Sequence, residues 1–172
     1  MIELFIKGGF LMYPITLCSF AGVAIFINKY IQYRRIIREL TGNTNKESEF
    51  MKELIELAKS KADEKMLSIV GTKKMKEVEK GLSWLSLIST ITPLLGLTGT
   101  VTGMIKAFMV IAESTSVSPS MLAGGIWEAL ITTAGGLLVA IPIHIGHHYL
   151  EKQADDIAFL MKEVTLELLK RS

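Results

Sequence analysis

Three long apolar stretches alternate with polar segments along the chain. The first, residues 8–27, has roughly the 20 residues that an α-helix needs to cross a hydrocarbon core of about 30 Å. The second, residues 82–112, would be ~46 Å long as one helix, so it must tilt or protrude, and Pro93 predicts a kink in it rather than a break. The third runs from residue 121 to about 149. This pattern predicts three membrane-spanning helices.

The polar segments predict helices outside the membrane and one short turn. Residues 31–80 are charged and free of proline, with helical spacing of their apolar positions and an interruption at residues 42–45. Residues 113–120 predict a turn, so the second and third spans form a helical hairpin. Residues 151–171 are amphipathic. We expect them to extend the third span as one nearly continuous helix.

The expected layout has six consecutive parts. They are a periplasmic N-terminus with the first span (residues 1–30), a cytoplasmic helical loop (31–80), the second span (81–113), a periplasmic turn (114–120), the third span (121–150) and a cytoplasmic C-terminal helix (151–172). The orientation follows from basic residues, because 12 lie between the first two spans and 4 follow the third, against Lys7 before the first. A cleaved signal peptide is disfavoured, because the first apolar run is longer than a typical signal sequence and precedes basic residues.

Composition agrees with a membrane protein and argues against several other classes. Hydrophobic residues make up 49% of the 172 positions, and the mean hydropathy of +0.39 is high for a soluble fold of this size. A net charge of +2, with acids mixed among the bases, does not provide a nucleic-acid surface. A single cysteine, Cys18, leaves no intrachain disulfide and no cysteine-based metal site.

Two ionisable residues lie deep in the predicted spans, Lys106 and Glu128. Each lies about ten residues from the turn, or ~15 Å along its helix, so the two are at similar depth on opposite arms of the hairpin. Because a charge inside the bilayer costs at least ~2.5–3.5 kcal/mol, both are expected to face protein or water. Glu128 is the leading functional candidate. Its structural alternatives are a neutral, hydrogen-bonded carboxyl and an ion pair with Lys106, although that lysine could also extend toward the interface.

Small residues recur at three- or four-residue spacing in both arms of the hairpin. They are Gly96, Gly99, Gly103 and Ala107 in the second span, and Ala129, Thr133, Gly136 and Ala140 in the third. Such stripes let helices approach closely within lipid, which predicts a packed bundle or oligomer. Threonines in the same spans could line a hydrated path or bond to their own helix. Thr132 shares a face with Glu128, whereas Thr133 is offset from that glutamate by about 140°.

Patterns typical of enzymes, cofactor sites and metal sites are lacking. His144, His147 and His148 cluster near the end of the third span without the glutamate of an HExxH motif or a third ligand, so interfacial histidines are favoured over a metal site. The glycines of residues 96–103 are not followed by the GK[ST] of a phosphate-binding loop. We therefore expect no enzyme, no cofactor and no metal.

Two segments resemble the paired signature of the ExbB/TolQ/MotA family of proton-driven inner-membrane complexes, nearest to its ExbB branch. They are TPLLGLTGTVTGMIKAF at residues 92–108 and GGIWEALITTAGGLLVAIP at residues 124–142. The first span, including MYPITL from Met12, agrees in character, and the cytoplasmic loop agrees only in polarity and topology. The resemblance implies an all-α integral membrane protein with three spans, assembled as a homo-oligomeric ring of five subunits in membrane lipids.

The resemblance also implies partners and residue roles. A single-span protein resembling ExbD or TolR would occupy the central pore and carry the proton-accepting aspartate. By motif position, Thr100 and Thr133 match the pore threonines around that aspartate, and Glu128 matches the glutamate of the third span. A TonB- or TolA-like protein would carry the work to the outer membrane. Lys106 has no implied role, and the short loop disfavours the four-span flagellar-motor branch.

Three functional hypotheses stay open at this point. An ExbB-like subunit would energise TonB-dependent import through the outer membrane, and a TolQ-like subunit would maintain envelope integrity. A non-conducting membrane scaffold would use the small-residue stripes for assembly and hold Glu128 and Lys106 as a static pair. A solute transporter is disfavoured, because three spans contain no internal repeat of the kind that transporters use.

Overall fold

The computed structural model describes residues 8–41, 50, 52, 56, 64–114 and 118–171. Four α-helices are bounded within these ranges: α1 (Met12–Thr41), α2 (Glu64–Glu79), α3 (Leu82–Ala112) and α4 (Pro119–Arg171). Apolar stretches long enough to cross a membrane occur in three helical regions, Met12–Thr41, Lys65–Ala112 and Leu122–Leu166. The predicted fold class, all-helical with three long apolar helices, is confirmed for the described residues.

The first helix begins later than the apolar pattern predicts. Gly8 and Gly9 precede it, and Gly9 has a φ of 69°, a left-handed conformation that glycine adopts without steric cost. The Gly9 carbonyl then accepts the backbone N–H of Met12 at 3.2 Å, which closes a turn into α1. The helix therefore begins at Met12, four residues after the start of the apolar stretch. The helix continues past the apolar run to Thr41, and the predicted break at residues 42–45 lies outside the described residues.

Proline marks the beginning of α4. The turn was expected at residues 114–120, but α4 begins at Pro119, two residues before the expected start of the third span. Proline suits the first position of a helix because its φ is already helical and its missing N–H is not needed there. From Pro119 the helix is continuous for 53 residues, through Pro142, to Arg171. The prediction that the third span and the C-terminal helix are one helix is confirmed.

The described residues divide into two compact units. The first combines the chain up to Ile25 with Trp84–Gly146, and α3 and α4 contact each other there along a stripe of small residues. The first helix joins this unit through Gly22, because a Cβ at that position would meet the side chains of Ile143 and Ile88. The hairpin is therefore held by close backbone approach as well as by apolar burial.

The second unit combines Phe26–Ser83 with His147–Ser172 and has its own core. Tyr33 is fully buried, and its hydroxyl donates to the Val78 carbonyl at 2.6 Å, while Lys29 Nζ donates to the same oxygen at 3.1 Å. These donors satisfy a carbonyl in the last turn of α2, where the helix itself supplies no partner. Other buried side chains of this core are Ile36, Leu67, Leu150, Ala154, Ile157 and Met161.

Candidate functional site

Lys106 and Glu128 meet across the two arms of the hairpin. Lys106 Nζ donates to Glu128 Oε1 at 2.6 Å, and the side chains are 60% and 24% exposed within the chain. Lys106 lies ~9 Å from the end of α3 at Ala112, and Glu128 ~14 Å from the start of α4 at Pro119. The two charges thus compensate each other at a depth where a single charge facing lipid would be costly.

The segment before α1 covers the Glu128 carboxylate. A Cβ built on Gly9 would overlap Glu128 Oε1, so the backbone of this glycine lies directly against the acid. The positive φ of Gly9 turns the chain across the carboxylate before α1 begins at Met12. Glycine is therefore required at this position both by the backbone conformation and by the space available.

A cavity of about 280 Å³ opens beside this ion pair. Its wall is built by the segment before α1 and by both arms of the hairpin. The residues that line it are Gly8, Phe10, Leu11, Thr98, Gly99, Thr102, Lys106, Glu128 and Thr132. Three hydroxyls and two charged groups therefore border the cavity on the hairpin side, and two large apolar side chains border it on the other.

The cavity threonines all donate to backbone carbonyls of their own helices. Thr98 Oγ1 donates to Leu94 O at 2.8 Å, Thr102 Oγ1 lies 3.0 Å from Thr98 O, and Thr132 Oγ1 lies 2.9 Å from Glu128 O. A hydroxyl that donates in this way keeps two acceptor lone pairs. The threonine side of the cavity consequently presents hydrogen-bond acceptors.

The two threonines expected to line the central pore of a ring do not border this cavity within the chain. Thr100 does not border the cavity, and its hydroxyl donates to Leu97 O at 2.6 Å. Thr133 donates across the hairpin to Gly96 O at 2.9 Å and is half-buried. Of the three pathway residues expected from the sequence, only Glu128 borders the cavity.

The four glycines expected to serve helix packing all lie where α3 and α4 touch. A Cβ on Gly96 or on Gly136 would approach the backbone of the opposite helix, and one on Gly99 would overlap the Thr132 side chain. A Cβ on Gly103 would lie 2.8 Å from Gly125 O. Gly125, which the sequence analysis did not single out, completes this contact from α4.

The histidines at the end of the third apolar stretch form no cluster of three possible metal ligands. Among the described residues, no group of three or more His, Cys, Asp or Glu side chains is arranged to hold a metal ion. His148 Nδ1 instead lies 3.6 Å from Glu151 Oε2, one helical turn further along α4.

Comparison with known families matches the chain to the MotA/TolQ/ExbB proton channel family over residues 34–163. The chain belongs to this family, and it is a multi-pass membrane protein. The matched region contains the hairpin, the ion pair and most of the cavity wall.

Curated relatives include both ExbB and TolQ proteins. Biopolymer transport protein exbB1 of Vibrio cholerae is 46% identical over 80 residues, which cover 46% of this chain and 35% of that protein. The putative biopolymer transport protein ExbB-like 1 of Synechocystis sp. is 28% identical over 169 residues, covering 82% of this chain and 66% of that protein. The Tol-Pal system protein TolQ of Haemophilus influenzae is 32% identical over 91 residues, covering 53% and 40% respectively. The chain thus spans about one third to two thirds of the length of these relatives.

Sequence reasoning missed several residues of the cavity, although a signal for them was present. Thr98, Thr102 and Lys106 are spaced by four residues and so follow one face of α3. Thr132 follows Glu128 at the same spacing on α4. Joining these two faces would have indicated a polar surface around the ion pair. Nothing in the pattern indicates that Gly9 covers it.

Proposed function

We propose that this chain is a subunit of an energy-transducing complex of the bacterial inner membrane that is driven by the proton motive force. The observation that carries the proposal is the Glu128 carboxylate, which borders a cavity at membrane depth together with three threonines, in a chain of a proton channel family. A carboxylate at this depth is costly unless it is paired or hydrated, so its presence points to a role such as ion movement or assembly. Its position beside hydroxyl groups favours ion movement.

The pathway we propose has two parts. Glu128 belongs to the part inside the hairpin, beside the cavity. Thr100 and Thr133 belong to the part that faces the central pore of a ring, where their hydroxyls, though donating to backbone, keep acceptor lone pairs for water or for a partner. A proton would pass between these polar groups along water molecules, because hydroxyl and carboxyl groups both form hydrogen bonds with water.

The working assembly would be a homo-oligomeric ring, with five subunits as the family resemblance implies. The described hairpin leaves large apolar side chains exposed along α3, among them Leu94, Leu97, Val101 and Ile105. In a membrane these side chains contact either lipid or another protein. We propose that part of this surface contacts neighbouring subunits and an ExbD- or TolR-like single-span partner in the pore.

The partner would carry the aspartate that accepts the proton. The aspartates of this chain, Asp63, Asp155 and Asp156, all lie outside the predicted spans, which fits that division of roles. Protonation would neutralise the partner aspartate and let its helix shift or rotate relative to the ring. One charge crossing 100 mV provides ~2.3 kcal/mol, so a few protons suffice to drive a mechanical displacement.

We propose a periplasmic N-terminus and turn, with residues 31–80 and 151–172 in the cytoplasm. The excess of lysine and arginine in those two regions supports this orientation. The long helices α1 and α4 would then extend from the membrane into the cytoplasm.

The ExbB-like role, which energises import through a TonB-like protein, is our first choice, and the TolQ-like role is the alternative. Relatives of both kinds match the chain, with the ExbB protein of Vibrio cholerae at 46% identity and the TolQ protein of Haemophilus influenzae at 32%. Deletion of the gene in its own bacterium distinguishes them. Loss of receptor-dependent nutrient uptake supports the first role, whereas leakage of periplasmic enzymes with intact uptake supports the second.

A non-conducting scaffold is the competing function, and the Lys106–Glu128 bond of 2.6 Å favours it. A pair of this kind could serve only to join α3 to α4. The two functions differ in the proton uptake that they predict, because a static scaffold takes up no protons.

Proton uptake into liposomes that contain the chain and its single-span partner tests the proposal. Glu128→Ala, Thr100→Ala and Thr133→Ala are expected to lower uptake while the ring still assembles. Ser114→Ala is the matched control, because Ser114 lies in the turn after α3 and its hydroxyl donates to Val110 O in the last turn of that helix. An assembled complex that takes up no protons even without these substitutions would support the scaffold, whereas uptake that is unchanged in all three variants would refute these residues as the pathway.

A further inference from the structure

Positive charge is concentrated at the end of the apolar run of α1. The run ends at Ile27, and residues 26–38 contain no Asp or Glu but four basic side chains: Lys29, Arg34, Arg35 and Arg38. Side chains in this position on a membrane-spanning helix lie at the level of the lipid headgroups. Clusters of basic residues there attract anionic lipids. Whether one of these side chains belongs to a defined site depends on its contacts.

The contacts of Arg34 distinguish it from its basic neighbours. Lys29 donates into the core of the second unit, and Arg35 Nε lies 3.1 Å from Glu39 Oε1. Arg34 is exposed and forms no ion pair with the residues that the structure describes. Its Nη2 instead donates to the Tyr30 hydroxyl at 2.6 Å, and its Cζ lies 5.1 Å from the centroid of the Tyr30 ring. The charge of Arg34 is therefore not compensated by a carboxylate in the described part of the chain.

Tyr30 holds the guanidinium group of Arg34 back toward the membrane. Tyr30 is one helical turn closer to the apolar run than Arg34, a distance of ~6 Å along α1. Stacking on the Tyr30 ring therefore keeps the charge near the headgroups rather than in solution. The bond to Tyr30 uses one of the five N–H donors of an arginine, so others remain for a ligand. Their planar arrangement matches the oxygens of a phosphate group.

A second tyrosine, Tyr149 of α4, lies beside Tyr30. The two ring centroids are 6.2 Å apart, and 44% of Tyr149 is exposed. The Tyr149 hydroxyl accepts a hydrogen bond from Gln153 Nε2 at 2.9 Å, as the Tyr30 hydroxyl does from Arg34. A phenol hydroxyl that accepts a bond keeps its own proton for another acceptor. Both tyrosines can therefore donate to a bound ligand.

Arg34, Tyr30 and Tyr149 form what we call the tyrosine–arginine site. Their remaining N–H and O–H groups, together with one positive charge, suit an anion. Phe26 stacks on Tyr30 with the ring centroids 6.0 Å apart, and Ile27 is 51% exposed. Apolar side chains thus adjoin the site on the membrane side, where the acyl chains of a lipid lie. This border favours a lipid over a free phosphate ion.

We propose that the tyrosine–arginine site binds the phosphate of an anionic phospholipid in the leaflet opposite the α3–α4 turn. The guanidinium group binds the phosphate oxygens, and the tyrosine hydroxyls donate to the same group. A zwitterionic headgroup is disfavoured, because it brings its own cation to residues 26–38, which offer no carboxylate. The leaflet follows from Tyr149, which ends the third apolar stretch on the side away from the turn. Lipid binding requires no proton movement, so the site is independent of the function proposed above.

The experiment is a titration of the full chain, purified in a mild detergent, with phosphatidylglycerol or phosphatidylcholine. Native mass spectrometry counts the lipids bound per subunit and gives their association constants. Arg34→Gln removes the charge of the site. Arg35→Gln is the matched control, because it removes the same charge from the next residue, whose side chain is 72% exposed and bonds to Glu39.

The general attraction of the basic surface is common to both variants and accounts for a loss of roughly fivefold in each. The site predicts that Arg34→Gln weakens phosphatidylglycerol binding by about a further fivefold or more, because it also loses charge-assisted hydrogen bonds. The parent chain should bind phosphatidylglycerol about fivefold or more tightly than phosphatidylcholine. Equal weakening in Arg34→Gln and Arg35→Gln would overturn the proposal, as would equal affinity of the parent for the two lipids.

The tyrosines and the conservative arginine variants keep the test valid if Arg34→Gln folds poorly. The pair Tyr30→Phe and Tyr149→Phe removes only the hydroxyls, and together they should weaken phosphatidylglycerol binding about threefold or more. Arg34→Lys keeps the charge without the planar donors, and it should weaken binding more than Arg35→Lys does. Unchanged affinity in the double tyrosine variant, or equal affinity in the two lysine variants, would overturn the site.

Glycerol 3-phosphate, a phosphate without acyl chains, distinguishes a lipid site from a site for soluble phosphates. A large excess of it should leave phosphatidylglycerol bound to the parent chain, because the apolar border of the site contributes to lipid binding. Displacement of the lipid by an equal concentration of glycerol 3-phosphate would show a soluble-phosphate site and contradict the proposal.

Discussion

Replacing Gly103 with alanine introduces a methyl group between the backbones of α3 and α4. The new Cβ would lie 2.8 Å from Gly125 O, 2.9 Å from Ala129 Cβ and 3.1 Å from Ala129 N. Two of these atoms belong to the α4 backbone, so a rotamer change cannot relieve the contact. The helices must separate locally by roughly 0.7 Å to restore an ordinary spacing of about 3.5 Å.

Separating the helices lowers the free energy of unfolding, because side chains and backbone of α3 and α4 near Gly103 lose van der Waals contact. A gap of 0.5–1 Å removes about a quarter to a half of the dispersion attraction of the atoms concerned. Overpacking of this kind typically costs about 1–3 kcal/mol. Gly124→Ala is the matched control, since nothing lies within 4 Å of a Cβ at that position. Any gain of up to about 1 kcal/mol in helix propensity is shared by both variants and cancels in the comparison.

The assay is the midpoint of unfolding by a denaturing detergent, measured on each variant purified in a mild one. We expect Gly103→Ala to be less stable than Gly124→Ala by about 1–3 kcal/mol. Equal midpoints for the two variants would refute the close approach of α3 and α4 at Gly103.

Three further changes test other parts of the molecule. Tyr33→Phe removes a buried hydroxyl bonded to Val78 O and should lower the free energy of unfolding by about 1 kcal/mol in the same detergent titration. Gly71→Ala should raise it by about 0.5–1 kcal/mol, because the added Cβ meets nothing within 4 Å and alanine favours the helix. Combining Lys106→Glu with Glu128→Lys should restore part of the stability that either change alone removes, with a coupling of about 0.5–3 kcal/mol in a double-mutant cycle.

Each of these has a control and a contradicting result. Tyr30→Phe is the control for the buried hydroxyl, because the Tyr30 hydroxyl accepts an exposed hydrogen bond from Arg34. An equal loss of unfolding free energy in the two variants would refute the role of the Tyr33 hydroxyl. A Gly71→Ala protein less stable than the parent would contradict the open surroundings of that glycine. A coupling of zero would mean that the ion pair contributes nothing to joining the arms.

The hairpin could be predicted from the sequence because its limits coincide with changes in polarity. The apolar run ends at Ala112, where Glu113 begins the turn, and Gly81 precedes its start with a φ of 106°. The start of α1 could not be predicted in the same way. Gly8 and Gly9 are compatible with an apolar span, and only the left-handed φ of Gly9 excludes them from the helix.

The candidate site was predictable in part. Lys106 and Glu128 stand out because charges are rare in apolar spans, and their similar depth follows from helical rise. The cavity depends on which side of the hairpin the segment before α1 crosses, and periodicity does not carry that information. Thr133 is a candidate by motif position alone, whereas Thr132 borders the cavity because it shares a helix face with Glu128.

Proton uptake into liposomes under an imposed membrane potential tests the central claim most directly. Vesicles would contain this chain with its single-span partner, the chain alone, or no protein, with a pH-sensitive dye inside. The proposed function predicts uptake above the protein-free rate when the partner is present, and loss of that uptake in Glu128→Gln. An assembled complex that takes up no protons above the protein-free rate would contradict the account.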